Sequence, residues 1–483
     1  MSQRLVVGIL ADTCHPGIAA RLLGDLGQLA AEDRGLAPIE VILLDNPSSD
    51  PPPGAARAPS VPGLSVHCVG RAEQERDAAR GHFGRIQLPP GRLPIATARR
   101  LAQRYASARA AAAGSAVWLL DEDLRLTPLL AAARRGDPPL SERVRRLRAA
   151  GVDVAVGPTL GAPPVPARSM VRVNLEDLRR HLGAIAALEP EAPWPDRAAE
   201  NARARRDLPE YYYDLSRAHG DAGARPMWLE PVGPAETARS ALARLADGAS
   251  GLLDGIPITR PLLEDAALDP AIPALTCGGN TLVLRPDLLA AIPHVAPRIA
   301  GRVARRSEML WARLMAALRG ARIARAPIAA LHDRSGPGRS SFDAAKLADD
   351  VRGSAAVAAL DALLGEGALA AGSAIEPAAA ARASAVYEER ARERLTAIVR
   401  SEARTRGLLE EIAGVLDAPG GCWGQLGHPA YAPAVARLRA EIARLAAACA
   451  EGLAAWDPAE ERADVEAFLR GLPEELAAYC AIS

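Results

Sequence analysis

Lysine is almost absent. The chain of 483 residues contains one, Lys346, so nearly all of its positive charge is arginine. A phosphate-cradling loop built on Gly-Lys-Ser/Thr is therefore excluded, and Schiff-base chemistry is confined to Lys346, in a polar helical stretch. A GC-rich genome, favouring Ala, Arg, Gly and Pro codons, accounts for the bias. Aromatic residues are scarce too, at 3%, too few for an oligonucleotide-stacking platform. An excess of either charge is missing: Lys+Arg and Asp+Glu both number 58, for a net charge of zero. That argues against a general nucleic-acid binder but leaves room for local poles. No run of about 18 apolar residues occurs, so no membrane span is expected. The N-terminus, Met1-Ser2-Gln3-Arg4 and then Leu5–Leu10, is too short for a signal peptide. The six cysteines (Cys14, Cys68, Cys277, Cys422, Cys449 and Cys480) form no C-x-x-C pair. Reduced thiols in a cytoplasmic protein are expected, not a zinc site or a disulfide scaffold.

What is present is an ordinary globular composition, 49% hydrophobic and 24% charged. The length suggests about three units, or one large α/β domain with a helical piece. Leu5–Ala11 (LVVGILA) reads as a buried strand, residues 16–33 as a helix, and Val41–Leu44 as a second strand ending in Asp45-Asn46-Pro47-Ser48-Ser49-Asp50. Strand, helix, strand at this spacing predicts a right-handed parallel βαβ unit. After a Pro-rich loop, Leu64–Val69 predicts a third strand, residues 94–113 a strong helix, and Ala116–Leu120 a fourth strand. Further on, Arg143–Ala150 and Glu176–Leu188 read as helices and Val152–Val156 as a strand. Thr281–Leu284 reads as a strand and Ser307–Leu318 as a helix. Ile323–Leu331 reads as an edge strand interrupted by Pro327. Ser335–Ser341 is a linker, and only helical patterns follow, broken at Gly420–Gly424. Alternating strands and helices followed by helices alone predict a mostly parallel α/β sheet with helices on both faces, then an all-helical domain.

One segment stands out chemically. Asp121-Glu122-Asp123 directly follows the fourth strand, at the carboxyl edge where open α/β sheets place ligands. Strand alternation would put Asp121 and Asp123 on one side and Glu122 on the other. Two carboxylates on one side suit a divalent cation completed by diphosphate oxygens and water. The aromatic-rich stretch 189–235, with Trp194, Tyr211–Tyr213 and Trp228, is a candidate stacking wall as well as candidate core.

Seven segments in order resemble the GT-A glycosyltransferases, in particular the inverting family 2 group: LVVGILADT, VILLDNPSSD, PIATARRLA, WLLDEDLRL, CGGNTLVLR, RRSEMLWARLM and APIAALHDR. They cover residues 1–335, with an acceptor-side insertion at about 130–275, and leave 336–483 as the helical C-terminal domain. The resemblance implies transfer of a sugar from a nucleotide-diphospho-sugar to an acceptor hydroxyl, with Mn²⁺ or Mg²⁺ as cofactor. Asp12, Thr13 and Asp45 would sit at the nucleotide, and Arg99 at the nucleotide or its diphosphate, where a planar guanidinium suits phosphate. Arg100 stands where the family usually has Asn. Asp121 and Asp123 would hold the metal, with His332 completing the site. Gly278, Gly279 and Asn280 would approach the sugar. Arg305 and Arg306 would meet phosphate or acceptor. Glu308 would be the base that takes the proton of the acceptor hydroxyl. The expected acceptor is a small molecule, peptide or protein. The helical domain leaves acceptor lining, dimerisation and partner binding open. Two other readings stand beside this one: a nucleotidyltransferase on the same kind of sheet, and a non-catalytic binding or scaffold module.

Overall fold

A computed structural model describes residues 4–12, 14–36, 38–47, 60–84, 86, 88–110, 115–161, 167–207, 227–254, 256, 258–259, 278–333, 344–369, 373–450, 452–454 and 456–481. Thr13, Tyr211–Tyr213, Cys277 and the linker Ser335–Ser341 lie outside them.

The chain runs β1 (Leu5–Ala11), α1 (Pro16–Glu32), β2 (Ile39–Asp45), β3 (Leu64–Val69), α2 (Arg71–Ala79), α3 (Ile95–Arg109), β4 (Ala116–Asp121), β5 (Leu124–Arg125), α4 (Thr127–Arg134) and α5 (Leu140–Ala149). It continues through β6 (Val154–Val156), β7 (Thr159–Gly161), α6 (Ala167–Ala186), α7 (Ala198–Asp207), α8 (Ala238–Gly248), β8 (Asn280–Val283), α9 (Asp287–Ala291), β9 (Arg298–Ile299) and β10 (Arg302–Val303). It ends with α10 (Ser307–Arg319), β11 (Ile323–Arg325), β12 (Ala330–His332), α11 (Ala344–Gly365), α12 (Pro377–Asp417), α13 (Ala432–Ala448) and α14 (Arg462–Cys480).

Seven strands form the main sheet in the order β11-β6-β8-β4-β1-β2-β3. Six run parallel to one another, and β8 runs against its neighbours β4 and β6. The expected α/β sheet is therefore present, mixed by one strand. The reversal matters because β8 begins where β4 ends: Leu120 pairs with Asn280. The loop entering β8 thus lies beside Asp121, whose N–H donates to the Gly279 carbonyl at 2.9 Å.

Alternation along the strands sorts the side chains into two cores. Leu5, Val7, Ile9, Val41, Leu43 and Trp118 join Leu22, Leu23, Leu26 and Leu29 of α1 on one face. Val6, Ile42, Leu44 and Val117 join α3, α10 and the C-terminal helices α11, α12 and α14 on the other. Each fully buried leucine contributes about 1.5–3 kcal/mol of transfer free energy. The predicted strand over Ile323–Leu331 divides at Pro327, which has no N–H for a ladder. Its first half, β11, is the edge of the main sheet, and its second half, β12, pairs with β5 and β7 in a three-stranded sheet.

A third core gathers Leu175, Leu178, Leu182, Leu242, Leu245, Leu408, Ile412, Leu438 and Ile442 from α6, α8, α12 and α13. The C-terminal helices therefore divide between two cores, and the segment expected as an acceptor-side insertion packs against some of them. Helix α6 starts nine residues before the predicted Glu176. The β-branched Val171 and Val173 read as non-helical locally, but Val171 joins Leu175, Leu178 and Leu182 in one core. Trp194 is 4% exposed and its indole N–H donates to the Leu229 carbonyl at 2.8 Å. It is a core residue, which corrects the expected stacking wall at this position. Trp228 lies under the guanidinium of Arg197, 3.8 Å from the ring centre.

This third core holds a buried histidine. His181 Nδ1 donates to the Asp177 carbonyl at 2.6 Å, so Nε2 is the acceptor for the Leu229 N–H at 2.8 Å. Burial pushes its pKa down to about 4; Arg197, Arg180 and Arg244 push the same way, and the Asp177 hydrogen bond only partly opposes them. The unfolded chain takes up a proton near pH 6.5 that the folded chain refuses, so stability from this group is complete above that pH and fades as pH falls toward 4. About 3 kcal/mol is expected to be lost across that window. Melting temperatures of wild type and His181→Gln between pH 7.5 and 4.5 check this: the variant should start lower and lose less. An equal slope in both would refute it.

Among the described residues no helix is long and apolar enough to cross a membrane. Cys14, Cys68, Cys422, Cys449 and Cys480 are free thiols.

Candidate functional site

The carboxyl ends of β1, β2 and β4 converge as Asp12, Asp45 and Asp121. Asp12 is buried; its N–H donates to Glu122 Oε2 at 2.8 Å, and its Oδ1 accepts the Cys14 N–H at 3.0 Å. Asp45 is buried at the end of β2 and its carbonyl accepts from Gln74 at 2.7 Å. Burial raises the Cys68 pKa, and the Asp45 charge raises it further. Next to it, Asn46 exchanges two hydrogen bonds with the backbone of Leu93, at 2.7 and 3.1 Å. That clasp fixes the loop from which α3 starts, and hence the position of Arg99.

Arg99 is the centre of the site. Its Nη1 donates to Glu308 Oε2 at 2.8 Å, and its Nη2 meets both oxygens of Asp121 at 3.2 and 3.3 Å. Burial would weaken its hold on the proton, but the charges of Asp121 and Glu308 outweigh that and raise its pKa. It is therefore a permanent cation bridging the end of β4 and the first turn of α10. Gly279 makes the close approach possible: a Cβ there would lie 2.0 Å from Asp121 Oδ2. Gly278 is pinned by Thr281, whose Oγ1 donates to the Gly278 carbonyl at 2.9 Å.

The structure gives other partners to two residues with expected roles, Asn280 and Arg306, and shows where Arg100 goes. Asn280 is 1% exposed, and its amide takes the Trp118 indole N–H at 2.9 Å and donates to the Ile328 carbonyl at 2.7 Å. It is spent on holding β4, β8 and the segment before β12 together, so it does not approach a sugar. Arg306 forms an ion pair with Asp350 of α11 at 2.8 Å, through Nε and Oδ1, in place of a phosphate. Arg100 turns into the helical layer, donating to the Phe83 carbonyl at 3.0 Å, pairing with Glu475 and lying 5.2 Å over the Tyr479 ring.

The Asp121 and Asp123 carboxylates engage separate partners. Strand geometry ends at Asp121, and Glu122 and Asp123 form a turn, so the alternation that would align the two acids stops there. Asp123 Oδ2 is 3.0 Å from His332 Nε2, and its carbonyl accepts the Asp333 N–H at 2.8 Å. Arg21 closes the corner on Asp333 at 2.7 Å. Among the described residues no three His, Cys, Asp or Glu side chains gather to hold a metal. With Asp121 turned onto Arg99 and Asp123 onto His332, the residues in these positions do not fit the divalent cation expected from the sequence.

Glu308 stands in the first turn of α10, a favourable place for an acid. The residue capping that helix, Arg306, is left-handed at φ 65°. That strain is of order 1–3 kcal/mol for a non-glycine residue. Two features hold it: the pair with Asp350, and the backbone of Arg305, whose N–H donates to the Asp349 carbonyl at 3.0 Å. Gly353 of α11 lies so close that a Cβ would be 2.2 Å from the Arg305 carbonyl oxygen. Burial lowers the Arg305 pKa, only partly offset by the charges of Asp350 and Glu308.

A narrow cavity is lined by Arg99, Asp121, Gly278, Gly279, His294 and Trp311. His294 and Asp350 lie outside every sequence motif, and Asn46 and Trp311 lie within motifs that assigned them no role. The acidic doublet Asp349-Asp350 in an alanine-rich helix was the one visible sign; a lone histidine carries none.

No protein-family model matches this chain. No curated protein matches it.

Proposed function

We propose that the protein is a glycosyltransferase, taking a sugar from a nucleotide-diphospho-sugar and passing it to an acceptor hydroxyl. The observation that carries this reading is the single guanidinium, Arg99, that bridges Asp121 at the end of β4 and Glu308 at the head of α10. It joins the place where an α/β sheet binds its ligand to the acid suited to act as base. In the proposed reaction Asp12 and Asp45 face the nucleotide end of the edge. The leaving diphosphate accumulates charge as the glycosidic bond breaks, and Arg99 and Arg305 meet it, since preorganised cations are most effective where charge develops. Donor binding draws Arg99 toward phosphate and leaves Glu308 unpaired to accept the acceptor's proton. No step is routed through a metal.

The test is thermal stabilisation by UDP-, GDP- and dTDP-sugars, each with EDTA and with Mn²⁺, followed by transfer assays. A shift with one nucleotide family is expected. Glu308→Gln should keep that shift and lose at least about a hundredfold in transfer. A shift with nucleoside triphosphates alone would favour nucleotidyl transfer, and no shift with any nucleotide would sink the enzyme reading. Loss of donor binding in Glu308→Gln would make Glu308 a structural residue.

A further inference from the structure

We propose that His294 receives a hydroxyl group of the donor's sugar in the cavity that it lines together with Arg99 and Asp121. The inference deepens the glycosyltransferase reading and rests on it.

His294 is 2% exposed, and neither ring nitrogen reaches a partner in good hydrogen-bond geometry among the described residues, the Ser307 backbone being the one polar group that pulls on the ring. Buried polar groups are overwhelmingly satisfied, so an orphan of this kind points to an absent partner. The buried Ser307 hydroxyl also makes no hydrogen bond, while Gln103 and Trp311 are engaged. Gln103 accepts the His294 N–H at 3.1 Å and donates to the carbonyls of Leu289 at 2.7 Å and Ile292 at 2.5 Å. The Trp311 indole N–H donates to the Ile292 carbonyl at 2.8 Å. The imidazole stacks on Trp311 with ring centres 4.6 Å apart. A phenylalanine would make that stack without the desolvation penalty of two bare nitrogens.

The chemistry of the ring selects the ligand. Burial pushes the His294 pKa down to about 3, and the nearby Arg99 charge pushes the same way, against a weak pull from the Ser307 backbone. The imidazole therefore stays neutral and presents one donor and one acceptor. That is a poor site for phosphate and a good one for a hydroxyl, which both donates and accepts. The enclosed volume is about 20 Å³, room for one water-sized group. A sugar ring beside Asp121 and Gly279, which line the same cavity, could place one oxygen against the imidazole.

Calorimetric titration of wild type and His294→Phe separates the cases, with UDP against UDP-glucose, GDP against GDP-mannose and dTDP against dTDP-glucose as probes. The expected variant melts no lower than wild type and binds the nucleoside diphosphate within about twofold, but binds the sugar nucleotide at least about tenfold more weakly. A second measurement needs no variant: wild type should lose at least about tenfold for one deoxy position of the sugar and little for the others. An unchanged sugar-nucleotide affinity would mean that a water sits against the imidazole, and equal loss of both ligands would mean that His294 is structural. Either result overturns the proposal, as does a deoxy series without a weak member. Wild type that binds no nucleotide removes the glycosyltransferase reading itself, an outcome distinct from failure at His294 alone.

Discussion

Replacing Arg99 with alanine is expected to reduce transfer by at least about a hundredfold, the scale for removing one preorganised group at a developing charge. The same change should lower stability by about 1–2 kcal/mol, less than a fully buried pair because the cluster is part-exposed. Asp121 and Glu308 would be left facing each other across the space vacated by a part-buried cation. Arg99→Lys separates the two contributions. A lysine keeps the charge but cannot reach two carboxylates with a planar fork, so it should restore more stability than activity. The measurements are denaturant midpoints and kcat/KM with the donor identified by thermal shift. Full activity in Arg99→Ala would remove the guanidinium from the reaction.

Asp350→Asn is expected to be the most destabilising single change, at about 3–5 kcal/mol. Asp350 is 2% exposed and within ion-pair distance of Arg306 at 2.8 Å and Arg394 at 3.3 Å. Burial alone would raise its pKa, but Arg306, Arg394 and Arg305 outweigh burial and hold it below the usual carboxylate range. An asparagine leaves those guanidinium groups buried without their counter-charge. It also releases the strained Arg306 cap, so the first turn of α10 should lose its register and Glu308 its place beside Arg99. Transfer should therefore fall at least about tenfold at temperatures where the variant is still folded. Circular dichroism with transfer assays well below the melting point checks both claims. A folded variant with wild-type kcat would confine Asp350 to stability.

The sheet was legible because its strands are buried on both faces and read as short unbroken apolar runs bounded by turns. LVVGILA was placed to the residue, and the carboxyl edge followed from it. The helix that carries Glu308 in its first turn was also legible from local pattern. What the sequence hid were long-range choices. Nothing local says whether Arg99 points at solvent or at Asp121, 22 positions away, and Glu308, 209 positions away. Asn280 looked available because Gly-Gly-Asn is a loop pattern, yet tertiary packing made its amide a clamp. The D-x-D alternation failed because it assumed that the strand continued for two more residues. His294 had no pattern at all: its significance lies in what does not touch it.

Helix α12 has a consequence for how the chain can be divided. Its 41 residues extend about 60 Å. Ala380, Tyr387 and Ile398 belong to the core on the sheet, while Leu408, Ile412 and Leu416 belong to the core shared with α6, α8 and α13. A chain stopped after Asp333 would bare the apolar sides of α3 and α10. It would also strand α6 and α8 without α12 and α13. A chain begun at Ala344 would present two half-built surfaces with nothing to cover either. The boundary at residue 335 marks a change in sequence pattern and not a seam where the protein can be cut. Homologous exchange, truncation or fusion would have to treat the sheet and the helical part as one inherited piece.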